Sequence, residues 1–145
     1  MIDKIIIWIK QKCFKSAFLL YSYLYQILYF VLDLLPHFIR DIVFKLTFKK
    51  IGTNVIIDYG CYFRYVRNIV IGNNTSINKN CEFYTSANLG ATIKIGDSSA
   101  ISPNVKFYAI AHDPNQLSLP EVAKDIIVEN NCWIYLEMKQ NVEKK

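Results

Sequence analysis

The sequence predicts a mainly β fold, a parallel solenoid of short strands with triangular coils, preceded by N-terminal α-helices. Three observations carry this prediction. From residue 51 onward, an aliphatic residue followed by Gly, Asp, Asn or Ser recurs every six residues within each coil. Asn or Gly recurs at a second position with the same period. Residues 1–50, in contrast, contain no glycine. A repeat of short, fixed period indicates coils that bury their apolar faces against one another.

Residues 1–50 contain mostly apolar and aromatic side chains, and they form the first predicted domain. They predict two helices joined at Leu35-Pro36, because proline cannot continue a helix without breaking or kinking it. In the second helix the faces alternate at roughly helical spacing, at Phe38, Ile42, Lys45 and Phe48-Lys49. Arg40 and Asp41 are expected on the polar face.

The stretch Ser16–Leu32 has seventeen uncharged residues, which is the lower limit for a membrane span. Four tyrosines lie within it, and tyrosine prefers the membrane interface to the hydrocarbon centre. The pattern therefore favours an amphipathic helix that lies on a membrane or packs against the solenoid, and a transmembrane span is the alternative. A small-residue cleavage pattern, as in signal peptides, does not follow the stretch.

Residues 51–134 form the predicted solenoid. Its leading aliphatic residues come in pairs six residues apart: Ile51 and Ile57, Ile71 and Ile77, Ile95 and Ile101, and a weaker pair, Val128 and Ile134. An aromatic residue leads a third hexad after each of the first three pairs: Phe63, Phe83 and Phe107. Three hexads in each coil predict a triangular prism.

Two further columns predict the corners and the core of the prism. Asn and Gly tolerate positive φ, so their column marks a tight corner. Its members are Asn54, Gly60, Asn74, Asn80, Asn104 and Asn131, with Ser98 as the exception. The small residues that follow them are expected to point inward: Val55, Cys61, Thr75, Cys81, Ser99, Val105 and Cys132.

Composition excludes several functional classes. The 145 residues carry a formal net charge of +5 without a basic strip interleaved with aromatics, which argues against nucleic acid and suits an anionic membrane or cofactor. Three of the four cysteines fall in the inward column and no CxxC pair occurs, which indicates packing residues in a reducing cytosol. With two histidines in the chain, a metal site is not expected.

The spacing of the coils predicts loops. Coils start at residues 51, 71, 95 and 128, which are 20, 24 and 33 residues apart, whereas three hexads need eighteen. The longest insertion follows Phe107, and His112 stands where the last strand of that coil meets it. Insertions in repeat proteins commonly carry function, so His112 is the leading catalytic candidate, whereas His37 is interpreted as structural.

The columns, the long loop and the phrase from Ile126 to Ile134 resemble the hexapeptide-repeat acyltransferases, in particular the O-acetyltransferases of bacterial surface polysaccharides, including the colanic-acid and maltose/galactoside types. The resemblance implies a left-handed parallel β-helix, although parallel crossovers are otherwise almost always right-handed. It also implies acetyl-CoA as acyl donor, a sugar or glycan hydroxyl as acceptor, a homotrimer, and a cytoplasmic location with peripheral contact to the inner membrane face through residues 1–50.

The resemblance also implies roles for individual residues. The family's general base is the His in the loop after a Pro-Asn-Val phrase, and here residues 103–105 precede His112. Asn80 matches a polar position that contacts substrate in family members, and Trp133 matches a Trp that lines the site. Thr85 and Ser86 occupy positions where some relatives carry Asp. The candidate substrate-binding residues are Asn80, Thr85, Ser86, Asp113 and Trp133.

The repeat pattern fails after Ile134. Tyr135 stands where the family has Gly, and residues 135–145 are interpreted as a polar tail outside the repeat. Because the family's coils that hold CoA generally follow this point, the prediction is a truncated O-acetyltransferase that keeps His112 and lacks much of its cofactor site. The rival interpretation is a non-catalytic remnant, or a trimerising, membrane-associated assembly module.

Overall fold

Two helices precede the coils. The computed structural model describes residues 2–135 and divides the chain into two compact units, the first ending at His37 and the second beginning at Phe38. The helices are α1 (Ile2–Leu34) and α2 (His37–Thr47), so the predicted break at Leu35-Pro36 is confirmed. Of the predicted tail, residues 136–145 lie outside the described residues.

Short strands from successive coils pair in parallel and form three sheets, which we call faces A, B and C. Face A contains β1 (Lys50–Ile51), β4 (Ile69–Ile71), β7 (Ile93–Ile95) and β12 (Ile126–Val128). Face B contains β2 (Ile56–Ile57), β5 (Ser76–Ile77), β8 (Ala100–Ile101) and β13 (Trp133–Ile134). Face C contains β3 (Tyr62–Arg64), β6 (Glu82–Tyr84) and β9 (Lys106–Tyr108).

The strand register confirms the predicted hexad columns. The leading residues of face B align as Ile57, Ile77, Ile101 and Ile134. On face C the three phenylalanines stack inside the prism, with ring centroids 4.7 Å apart for Phe63 and Phe83 and 4.8 Å apart for Phe83 and Phe107. Burial of each of these rings stabilises the prism by about 2 kcal/mol.

The corners have the conformation that the Asn and Gly column predicts. The non-glycine members of that column have φ between 51° and 64°, and Ser98 is among them at 55°. Side chains beside these residues then tie one coil to the next. The Oδ1 atom of Asp97 accepts the backbone N–H of Asn73 at 2.7 Å, and Oδ1 of Asn130 accepts the backbone N–H of Asp97 at the same distance.

All of the long insertions leave one corner, between face C and face A. They connect β3 to β4, β6 to β7, and β9 to β12, and the last contains a hairpin that the sequence did not predict. Its strands, β10 (Ile110–His112) and β11 (Glu121–Ala123), pair antiparallel. The chain re-enters the prism at Asp125, whose Oδ1 accepts the backbone N–H of Thr92 at 2.7 Å.

Helix α2 docks on the first coil through a face that includes a cation. Arg40 was expected on the polar face, but it is only 1% exposed. Its guanidinium donates a hydrogen bond to the carbonyl oxygen of Asp58 at 3.2 Å and lies 4.1 Å from the ring centroid of Tyr59. Phe44, on the same side of the helix, and Phe48, just after the helix, pack edge-on against Phe63.

Candidate active site

His112 ends strand β10, on the hairpin that leaves the corner between faces C and A. Its side chain is exposed, and Glu121 is its cross-strand partner in the register of the hairpin. The Nδ1 atom of His112 lies 2.8 Å from the carbonyl oxygen of Leu119. A carbonyl oxygen only accepts hydrogen bonds, so Nδ1 carries the proton and the neutral ring has its lone pair on Nε2. The hairpin therefore prepares Nε2 to accept a proton.

Leu119 adopts a conformation that is uncommon for its residue type. Its φ is 45°, in the left-handed region, where a bulky side chain is strained. Such strain costs about 1 kcal/mol or more and is found more often at functional sites than elsewhere. In this hairpin the strained residue is the one whose carbonyl oxygen faces His112.

Asp113 organises the tip of the hairpin. Its backbone N–H donates to the carbonyl oxygen of Pro120 at 3.0 Å. Its carboxylate accepts the backbone N–H of Asn115 at 2.9 Å and the side-chain N–H of Gln116 at 3.0 Å. These hydrogen bonds lower the pKa of Asp113, because they stabilise the charged form. Asp113 thus supports the turn that holds His112.

An open groove of about 300 Å³ lies at the base of the hairpin. It is lined by residues 108–111 and by residues 122–124 of the neighbouring segment, and alanine supplies three of these seven side chains. His112 directly follows the first of these segments in sequence. The groove is large enough for a small apolar group, such as the acyl end of a thioester, to lie beside the hairpin.

Thr85 and Ser86 lie at the same corner, one coil earlier, and both are buried. The hydroxyl of Thr85 donates to the carbonyl oxygen of Arg64 at 2.9 Å. Ser86 Oγ accepts the backbone N–H of Leu89 at 3.1 Å. Both side chains stabilise the insertion between β6 and β7, and their contact with a substrate stays a prediction.

Asn80 lies at a different edge of the prism, between faces B and C, and Trp133 lies on the adjoining face B. The side-chain N–H of Asn80 is 3.4 Å from Oδ1 of Asn104 in the next coil. The indole N–H of Trp133 donates at 3.0 Å to the hydroxyl of Ser102, in the same turn as Asn104, and the ring is 69% exposed. The candidate residues of one chain therefore form two groups, one at the edge between faces C and A and one on face B and its edge with face C.

Among residues 2–135, no set of three His, Cys, Asp or Glu side chains is placed to hold a metal ion. The cysteines there are free thiols, and Cys61 and Cys81 are buried in the predicted inward column, whereas Cys132 is half-buried.

Known proteins resemble this chain in structure rather than in sequence. No protein-family model and no curated protein sequence matches it. A crystal structure of a hexapeptide-repeat-containing acetyltransferase from Vibrio cholerae O1 biovar eltor, complexed with acetyl coenzyme A, aligns with a TM-score of 0.63 and 25% identity over 72% of this chain. The same Vibrio cholerae acetyltransferase in another crystal structure aligns with a TM-score of 0.63 and 24% identity over 75% of this chain.

These similarities show the fold. Parallel sheets built from successive coils fit the left-handed β-helix that the sequence resemblance implies. Both alignments are to an acetyltransferase, and one of its two crystal structures is a complex with acetyl coenzyme A. The chain covers 60% of the length of the first of these structures and 64% of the second.

Sequence reasoning missed Leu119 and the hairpin strands. Two sequence signals could have predicted the hairpin: short apolar segments around Ile110 and around Val122, and a turn-forming Asp-Pro-Asn between them. The carbonyl contact of Leu119 has no sequence signal, because a backbone oxygen is present at every residue.

Proposed function

We propose that this protein is an acetyl-CoA-dependent O-acetyltransferase that acetylates a hydroxyl group of a sugar or glycan in the synthesis of a surface polysaccharide or oligosaccharide. The observation that carries the proposal is the hydrogen bond from Nδ1 of His112 to the Leu119 carbonyl oxygen, at 2.8 Å. It directs the basic nitrogen away from the hairpin. The fold, which is shared with acetyltransferases, supports the same chemistry.

His112 acts as the general base. Nε2 accepts the proton of the sugar hydroxyl while the hydroxyl oxygen forms its bond to the acetyl carbonyl carbon. The imidazolium then returns this proton to the sulfur as the carbon–sulfur bond breaks, so the ring ends the cycle neutral. Acetyl-CoA supplies the acetyl group as a thioester, and the groove formed by residues 108–111 and 122–124 would hold its acyl end.

The assembly that we propose is a homotrimer. His112 and Asp113 lie at one edge of the prism, whereas Asn80 and Trp133 lie away from it, at another edge and on the adjoining face B. Cyclic symmetry brings an edge of one copy to a different edge of its neighbour, so a complete site would form between copies. We place this trimer in the cytoplasm, in peripheral contact with the inner face of the membrane through residues 1–50.

An acetyl-transfer assay tests the proposal. Protein purified in detergent is incubated with acetyl-CoA and a panel of sugars and glycans, and acetylated product is detected by mass spectrometry, since exposed thiols would disturb a thiol-reagent assay. We expect His112→Asn to lower the rate about 10²- to 10⁴-fold, because loss of a general base costs this much. Asparagine can still donate a hydrogen bond to the Leu119 carbonyl oxygen, so the hairpin is preserved.

The matched control is His37→Asn at the start of α2, which should leave the rate near that of the wild type. Equal product from the wild type and His112→Asn, or no product with any acceptor, would reject the enzyme and favour the non-catalytic assembly module.

A further inference from the structure

Helix α2 turns an apolar face outward. Phe38, Ile42 and Leu46 follow one another at four-residue spacing, and their side chains are 58%, 57% and 81% exposed. The opposite face, with Arg40 and Phe44, is the one that docks on the coils. A helix docked on a soluble coil would be expected to show polar residues outward, so an outward apolar face indicates a contact surface.

Lysines border this face. Lys45 is in the last turn of α2, Lys49 and Lys50 follow directly, and all three are exposed. The acidic residue of the helix, Asp41, is half-buried. An apolar stripe with lysines at its border is typical of a helix that lies in the interface of an anionic membrane.

The chain that precedes α2 points to the same partner. Within α1, the twenty residues Lys15–Leu34 are long and apolar enough to cross a membrane, by length and composition alone. Helix α2 begins at His37, and three residues of chain reach at most about 10 Å. The polar layer on each side of a bilayer is roughly as thick, about 5–8 Å. A bilayer that holds Lys15–Leu34, whether at its surface or across it, therefore keeps the first turn of α2 close to the headgroup layer.

We propose that α2 lies flat in the headgroup layer of an anionic lipid bilayer, with Ile42 and Leu46 entering the acyl boundary and Lys45, Lys49 and Lys50 contacting lipid phosphates. The coils are then held at the membrane surface by the first element that docks on them, and not by a flexible tether. This inference rests on the membrane contact proposed above for residues 1–50, and it does not depend on acyl transfer.

A fluorescent label on α2 tests it in the full chain. Leu46→Cys is labelled with the environment-sensitive dye NBD in a Cys13→Ser, Cys132→Ser background and reconstituted into vesicles of phosphatidylcholine and phosphatidylglycerol. The matched control is Ile127→Cys on face A, whose native side chain is 58% exposed. We expect the emission from position 46 to shift to the blue and to be quenched by doxyl-labelled lipid, and that from position 127 to do neither.

Three results would overturn the proposal. In the first, the label at position 46 would behave like the one at position 127 although the protein floats with the vesicles. In the second, the protein would not float with the vesicles at all. In the third, the emission would shift with rising protein concentration but would not be quenched by doxyl-labelled lipid, which would assign the face to a second copy of the chain.

Discussion

The glycines at the corner between faces A and B have no space for a side chain. A Cβ on Gly72 would lie 2.6 Å from the backbone nitrogen of Asp97 and from the backbone carbon of Gly96, and Gly52 and Gly96 make equivalent approaches. The glycine that follows the leading isoleucine of a coil is therefore needed because the backbones of two successive coils come close together there. The positive φ angles at the corners of the coils belong to a different column, that of Asn, Gly60 and Ser98.

This difference predicts unequal effects for two glycine substitutions. Gly72→Ala should lower the free energy of unfolding by about 3 kcal/mol, because rigid backbone surrounds the new methyl group. Gly90→Ala should cost about 1 kcal/mol, because φ there is 71° but the space around it is open. Urea unfolding followed by circular dichroism measures both, and equal losses would contradict the close approach.

Helix α2 shows why the sequence places some elements correctly but not their faces. Proline gave the break between the helices, and local helical spacing then assigned Arg40 to the polar side. The structure buries Arg40 because its partners, Tyr59 and the carbonyl oxygen of Asp58, come from the first coil, eighteen or more residues later. A local period carries no information about such a partner, so the outward face of α2 could not be predicted.

Arg40→Ala should therefore destabilise the docking of α2. We expect a loss of about 2 to 3 kcal/mol, because the substitution empties the space of a buried side chain and removes its hydrogen bond to half-buried Asp58 and its cation from the face of Tyr59. Arg67→Ala, at an exposed position, is the control and should change stability by less than about 0.5 kcal/mol. If the two variants unfold at the same urea concentration, Arg40 does not hold the helix.

For the whole molecule, the repeat is the part that sequence predicts best. Each coil repeats the same sequence pattern, so a misassigned hexad is corrected by comparison with the others. The observed strand register aligns Ile51, Ile71 and Ile95 as expected. The hairpin occurs once and its strands pair antiparallel, so no repeated sequence position predicts it. The position of His112 was predictable from the interrupted spacing, whereas its orientation depends on Leu119 and was not.

The two groups of candidate residues predict complementation between copies. His112→Asn and Trp133→Ala chains, each impaired alone, are unfolded and refolded together. Random mixing in a trimer leaves about one site in four with both residues intact, so we expect about a quarter of the wild-type rate of acetyl transfer. A mixture no more active than its parts would mean that the site does not form between copies.

The most direct test of the central claim is the tautomer of His112. NMR correlations between the carbon-bound protons and the ¹⁵N nuclei of its ring show which nitrogen carries the proton in the neutral form. The contact with Leu119 predicts a proton on Nδ1 and a bare Nε2, ready to act as base. A proton on Nε2 would contradict the claim, because the ring would then have no free acceptor directed at a substrate.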